Sequence, residues 1–445
     1  MRKLKIFIIT LGCSKNTVDS ERLMNQLEIN NFRLCDSADN ADIVIINTCG
    51  FIEDAKKESI DTIMEAVQLK NLGKIKKVIV IGCLSERYKK DLETEIPEVD
   101  NYFGVEKYEE ILEELGGTLK YELIGERKLS ASPHSVYLKI SEGCDNPCSF
   151  CAIPLIRGGH KSKPMEELIN EAKSLAEKGA KELIIIGQDT TDYGIDLYKK
   201  RNLAELLHKL SSVEGIEWIR LMYAYPSHFP DDLIKEIASN EKICKYIDIP
   251  LQHISDNVLK SMRRGITKRR TIELINKLRK HIPDIVLRTT LIVGFPNESE
   301  DDFNELVEFI SEFKFERVGV FTYSPEEDTL AFGVPDRLSK KEKDGRKRKL
   351  MKVQSKISAE ILNNKIGKQI KVIVDTIDSS AIYCRTQGDA PEVDGEVIVE
   401  RTKENYDSKS QDRIHRKTDF NITAGNFLIV EITDSDEHDL FAKLI

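Results

Sequence analysis

The chain is predicted to be an α/β multidomain protein with an amino-terminal parallel α/β domain, a partial (β/α)6 barrel and a small antiparallel β-barrel at the carboxy terminus. Three observations predict this. Apolar, β-branched runs alternate with helical patterns in two series, one ending near residue 120 and the other near residue 365. A polar stretch broken by proline, Ser130-Ala131-Ser132-Pro133-His134-Ser135, separates the two series. After residue 366 short strands replace helices, with turn residues at Gly388-Asp389-Ala390-Pro391 and Asp394-Gly395. The expected domains are 3–120, 130–365 and 366–440.

Composition bounds the function. A chain of 445 residues has room for about three domains. With 40% hydrophobic and 32% charged residues it is neither disordered nor membrane-spanning. No signal-peptide pattern opens the chain, so a cytoplasmic location is expected. Nine cysteines in a reducing compartment suit metal ligands better than disulfides, and an odd number pairs badly. A net charge of −9 argues against a general nucleic-acid binder.

In the first domain, strands are expected at 4–11, 43–47 and 78–81, with helices at 20–28 and 53–69. Cys13, Cys49 and Cys83 each follow one of these strands through a short turn. Strand ends in a parallel sheet share one edge, so the three thiols should converge. Each alone could be a buried core cysteine; matching positions in three units favour a joint site. Cys35 has no such position and reads as an ordinary buried thiol.

Six strands are expected in the second domain, at 136–140, 183–186, 219–223, 246–249, 286–293 and 317–321, with helices between them. Just beyond the first comes Cys144-Asp145-Asn146-Pro147-Cys148-Ser149-Phe150-Cys151, three thiols in eight residues with no fourth beside them. A structural zinc site wants four protein ligands, whereas an iron–sulfur cube held by three cysteinates leaves one iron open. The ends of the later strands are rich in polar and turn residues, as at Gly187-Gln188-Asp189, Pro250-Leu251-Gln252-His253 and Gly294-Phe295-Pro296. His228 and His253 have no metal spacing with each other, and Cys244 reads as packing. No hydrolase triad, Walker loop or dinucleotide fingerprint appears. The basic segment 338–365 reads as a solvated helix between domains, with contact to ribosomal RNA as the sharper alternative.

The Cys-x3-Cys-x2-Cys pattern, flanked by Leu138-Lys139-Ile140-Ser141-Glu142-Gly143 and Ala152-Ile153-Pro154-Leu155-Ile156-Arg157-Gly158, resembles the methylthiotransferase branch of the radical S-adenosylmethionine enzymes. Leu11-Gly12-Cys13-Ser14-Lys15-Asn16, Asn47-Thr48-Cys49-Gly50 and Gly82-Cys83-Leu84-Ser85-Glu86 are similar to that family's amino-terminal domain, and the last segment resembles its TRAM domain. The resemblance implies a TIM-like partial barrel and two 4Fe-4S clusters, one on Cys144, Cys148 and Cys151 and a second on Cys13, Cys49 and Cys83. It also implies S-adenosyl-L-methionine as cosubstrate. Gln188, Gln252, Arg288 and Gly294 are the candidates to contact it, although each polar one could be an ordinary hydrogen-bonded barrel residue. No catalytic residue beyond the cluster ligands is assigned.

Cys144-Asp145-Asn146-Pro147-Cys148, Gly187-Gln188-Asp189-Thr190-Thr191-Asp192-Tyr193-Gly194 and Tyr223-Ala224-Tyr225-Pro226 resemble the branch that modifies the β-carbon of an aspartate in the twelfth protein of the small ribosomal subunit, free or in the ribosome. From Ile366 onward ten Lys and Arg face sixteen Asp and Glu, net −6, which suits a basic protein partner better than tRNA. An electron donor and a sulfur donor are implied, and no membrane. The alternatives are a tRNA adenosine methylthiotransferase and a non-catalytic, metal-bearing ribosome assembly factor.

Overall fold

In the computed structural model, which describes residues 3–123, 125–401 and 422–445, the first sheet is wholly parallel. Its strands β1 (Lys5–Thr10), β2 (Arg33–Leu34), β3 (Ile43–Thr48), β4 (Lys77–Gly82) and β5 (Asn101–Tyr102) lie in the order β2-β1-β3-β4-β5. The two edge strands are too short to register as apolar runs and were not foreseen. β3 is buried at every position, because helices cover both faces of a parallel sheet. Thr10 pairs with Asn47 and Asn47 with Ile81, so β1, β3 and β4 end level with one another. Cys35 is half-buried, not buried, since it directly follows β2, the outermost strand on that edge.

The second sheet contains β6 (Ser135–Lys139), β9 (Glu182–Ile186), β10 (Trp218–Leu221), β11 (Ile243–Asp248), β12 (Val286–Val293) and β13 (Arg317–Thr322), each beside its neighbour in sequence. This is the expected open arc of six parallel strands. A separate two-stranded ribbon, β7 (Ser141–Glu142) with β8 (Lys161–Ser162), brackets the cysteine loop. Helices such as Met165–Glu177 and Glu300–Phe313 bury one apolar face, including Leu168, Leu175, Leu306 and Ile310, against the outside of the arc. The helix Lys340–Asn363 joins them. Leu350 and Ile357, seven residues apart, and buried Lys343 pack it onto the arc, so it is a packed element and not the solvated connector expected from its charge. Among the described residues no helix is long and apolar enough to cross a membrane.

The third domain is a closed barrel of β14 (Gln369–Ile377), β15 (Ala381–Thr386), β16 (Val397–Glu400), β17 (Phe427–Ser435) and β18 (Leu440–Leu444). It is not purely antiparallel. β18 turns back from β17 and slots in beside β16, which forces those two to run parallel. The net −6 counted from Ile366 onward includes residues 402–421, which lie outside the described residues.

This barrel sits against the amino ends of the arc strands. Ile373, Ala390 and Phe427 pack on Trp218, Cys244 and Tyr246, with the Trp218 and Phe427 rings edge to face at 4.9 Å. Cys244 is thus a packing residue, as expected. Around that contact Glu182 binds Arg220 at 2.7 Å and Arg385 at 2.8 Å, Arg385 binds Asp375 at 2.6 Å, and His134 meets Asp375 at 2.8 Å. Asp389 pairs with Arg317 and Asp394 with Arg288. Three of the acids behind the net −6 are therefore spent inside the molecule, and the surface available to a basic partner is less acidic than composition implies.

Burial opposes ionisation of Glu182, but Arg385 and Arg220 overcome it and hold its carboxyl down at about 2. A depressed folded value contributes stability that is complete above the ordinary 4.5 and is lost as pH falls from there towards 2. Denaturant midpoints measured between pH 5 and pH 2 should fall over that window, with a shallower fall in Glu182→Gln. Arg385→Met, which leaves Glu182 buried with one partner fewer, should cost about 3–5 kcal/mol at neutral pH by the same measurement.

Candidate functional site

Level strand ends place three thiols together. Cys13 precedes the helix Ser14–Ile29, Cys49 follows β3 directly, and Cys83 opens the helix Cys83–Glu95 after β4. Glycine makes the approach possible. A Cβ on Gly12 would lie 2.6 Å from Cys49 Cβ and 2.9 Å from its sulfur, and Gly12 adopts a φ of +90°. Asn16 laces the turns, donating from Nδ2 to Leu11 O at 2.8 Å and Thr48 O at 3.1 Å, while Asn47 Nδ2 donates to Asn16 O at 3.0 Å. Cys13 is exposed; Cys49 and Cys83 are buried. Burial pushes the Cys83 thiol up to about 12, against the pull of Arg157 and with a further push from the neighbouring Cys13 and Cys49.

The second trio lies on the loop after β7. Ser149 fixes that loop by donating its N–H to Met262 O at 3.0 Å and its hydroxyl to Ser261 O at 2.7 Å. Each of two sulfurs has a donor: Asn146 Nδ2 reaches Cys144 Sγ at 3.4 Å, and Arg264 Nη1 reaches Cys148 Sγ at 3.3 Å. Arg264 itself stacks over Tyr225 at 4.0 Å, and the Tyr225 hydroxyl donates to Arg264 O at 2.6 Å. Burial pushes Cys144 up to about 11 and Cys151 up to about 12. Phe150 packs edge to face on Phe295, and Phe295 on Tyr323, walling one side of the loop.

The donor sets favour clusters over single ions. Among the described residues, the one group with three ligand atoms within 4.8 Å of one another is Asp19, Glu106 and Glu142, and Lys139 already binds all three carboxylates. Neither cysteine trio closes to that spacing, as a tetrahedral zinc with sulfur at about 2.3 Å would require. Three corners of a cube stand further apart, and donors to sulfur are what such clusters use.

The cosubstrate candidates separate into two pairs. Gln188 and Gln252 stand beyond the carboxyl ends of β9 and β11, and each keeps a buried Oε1 with no partner; the Ser141 hydroxyl, beside Gly187, is likewise free. Gln188 donates its Nε2 to Glu142 at 2.9 Å. Arg288 instead binds Asp248 at 2.8 Å and faces Asp394 of the third domain at 3.5 Å, so its guanidinium serves domain docking. Gly294 does permit a close approach, but the group that fills the space is Lys343, whose Cγ would lie 2.4 Å from an added Cβ. His228 is exposed, and burial lowers His253 to about 4, keeping it neutral. Arg264 and Tyr225, which meet Cys148, and Arg157, which meets Cys83, were not expected as partners of the sulfurs; Tyr225 and Arg157 lie in family-like stretches, but nothing local shows what they touch.

The helix that follows the second trio reaches the first across the domain boundary. Ala152 and Ile156, just past Cys151, pack directly on Cys83, and Arg87 and Lys56 of the first domain bind Glu326 beyond β13 at 2.8 and 3.0 Å. The first domain therefore roofs the carboxyl ends of the arc.

Three family models match the chain: the Radical SAM superfamily over residues 138–310, Uncharacterized protein family UPF0004 over 5–104, and the TRAM domain over 366–445. Among solved structures, the radical S-adenosylmethionine methyltransferase TsrM from Kitasatospora setae, with cobalamin and a [4Fe-4S] cluster bound, shares the fold at a TM-score of 0.55 and 13% identity, covering 74% of this chain and 77% of that one. Two curated relatives are named ribosomal protein uS12 methylthiotransferase RimO. The one from Chloroherpeton thalassium is 50% identical over 444 residues, covering 100% of this chain and 99% of that protein. The one from Christiangramia forsetii is 49% identical over 443 residues, covering 100% and 95%. With half its residues shared along its whole length and a radical SAM domain at its centre, the chain belongs to the RimO family of methylthiotransferases.

Proposed function

We propose that the chain attaches a methylthio group to the β-carbon of an aspartate in ribosomal protein uS12, in the cytoplasm, using two 4Fe-4S clusters and S-adenosyl-L-methionine. Cys144, Cys148 and Cys151 would hold the radical cluster and Cys13, Cys49 and Cys83 the second. The observation that carries this reading is a pair of three-thiol sets, each one ligand short of a closed site, with the helix after Cys151 packed on Cys83, in a chain whose full-length relatives bear that name. When bound, the radical cluster and cosubstrate supply one-electron chemistry able to take hydrogen from an unactivated C–H bond, which side chains at neutral pH do not achieve.

The chain's own residues orient and insulate. Arg264 and Asn146 offset thiolate charge on Cys148 and Cys144. The free Oε1 atoms of Gln188 and Gln252 and the Ser141 hydroxyl offer hydrogen-bond sites for the cosubstrate. Phe150, Phe295 and Tyr323 exclude water from one wall. An electron donor and a source of sulfur must come from outside the chain.

Two measurements test this. Anaerobically reconstituted protein given uS12, free or within the small subunit, should yield methylthiolated uS12 by mass spectrometry while purified tRNA stays unmodified; modified tRNA beside untouched uS12 would reverse the assignment. Cys144→Ala and Cys49→Ala should each lose about half the iron and sulfide. Loss confined to the Cys144 variant would remove the second cluster.

A further inference from the structure

Arg157 ends the short helix Ile153–Arg157 that follows Cys151, yet its guanidinium terminates against the other thiol trio. Its side chain is 2% exposed. Nη2 donates to Cys83 Sγ at 3.4 Å and to Asn16 Oδ1 at 2.7 Å. Nη1 donates to Asp19 Oδ2 at 3.2 Å and to both Glu142 carboxylate oxygens at 3.0 Å. Asn16, Asp19 and Cys83 belong to the first domain, whereas Glu142 belongs to the β7–β8 ribbon of the second and also receives Gln188. One cation thus joins the sulfur of one trio to the residues at the mouth of the other.

A plain ion pair between domains would not need this geometry. Lys139 already supplies one, binding Asp19, Glu106 and Glu142 without touching a thiol. What sets Arg157 apart is the N–H aimed at sulfur: among the described residues it is the one cation with a hydrogen bond to Cys13, Cys49 or Cys83. The planar fork makes the double duty possible, because its two Nη atoms point different ways from a rigid plane. Donation to a ligating sulfur draws electron density away from it and favours the more negative, reduced state of a cluster; burial keeps water from screening that charge.

We propose that Arg157 is a positioning residue for the Cys13/Cys49/Cys83 cluster, raising its reduction potential through Cys83 while holding it in register with Glu142 and Gln188. The proposal rests on the second-cluster reading above. To isolate that cluster, the full chain carrying Cys144→Ala, Cys148→Ala and Cys151→Ala is reconstituted anaerobically, and its midpoint potential is measured by spectroscopically monitored redox titration. Arg157→Gln in this background should shift the reduction equilibrium about tenfold towards the oxidised form, equivalent to ~59 mV for one electron. Arg157→Lys should shift it less and in the same direction, since the charge stays but the fork is lost. Equal midpoints for Arg, Lys and Gln would overturn the proposal. If Arg157→Gln holds no iron, the Lys variant decides: a lower midpoint supports the role and an unchanged one refutes it. Background protein that binds no iron with Arg157 intact would overturn the cluster assignment itself, and the proposal with it.

Discussion

The first and second domains are held in register by a cluster of charge around buried Lys139 at their boundary. Lys139 is wholly buried beneath Asp19, Glu106 and Glu142, and Arg157 shares Asp19 and Glu142 with it. Removing Lys139 would leave three carboxylates without the cation they share, with Asp19 among them buried, and uncompensated buried charge is far more costly than a pair is stabilising. Such a network tolerates little sliding. Radical chemistry between two separately held partners depends on that rigidity, because a misplacement of about 1 Å costs orders of magnitude in rate.

The cysteines were legible in the sequence because their information is local. Three thiols in eight residues need no fold to be noticed, and Cys13, Cys49 and Cys83 follow strands whose apolar runs are plain. The parallel-sheet rule then converts three separate turns into one edge. Arg157 and Arg264 were not legible as partners of sulfur. The contact of Arg157 with Cys83 spans 74 positions and that of Arg264 with Cys148 spans 116, so neither contact can be read from the residues around the arginine. Gln188 and Gln252 could be located from strand ends alone, whereas Arg288 stands near the start of β12 and pairs with Asp248 and Asp394.

Charge summed over a segment misleads in two places for one reason: composition cannot tell inward from outward. In the helix Lys340–Asn363 the density of lysine hides the apolar spacing of Leu350 and Ile357. In the terminal barrel Asp375, Asp389 and Asp394 look like a solvated acidic face and are instead counterions to Arg385, Arg317 and Arg288. The fold absorbs both signs where domains meet.

The terminal barrel seals the arc at the end where its strands begin, and the first domain spans the end where they finish. Each end of the arc is thereby taken by a different domain, so the same six strands begin against one neighbour and finish against another.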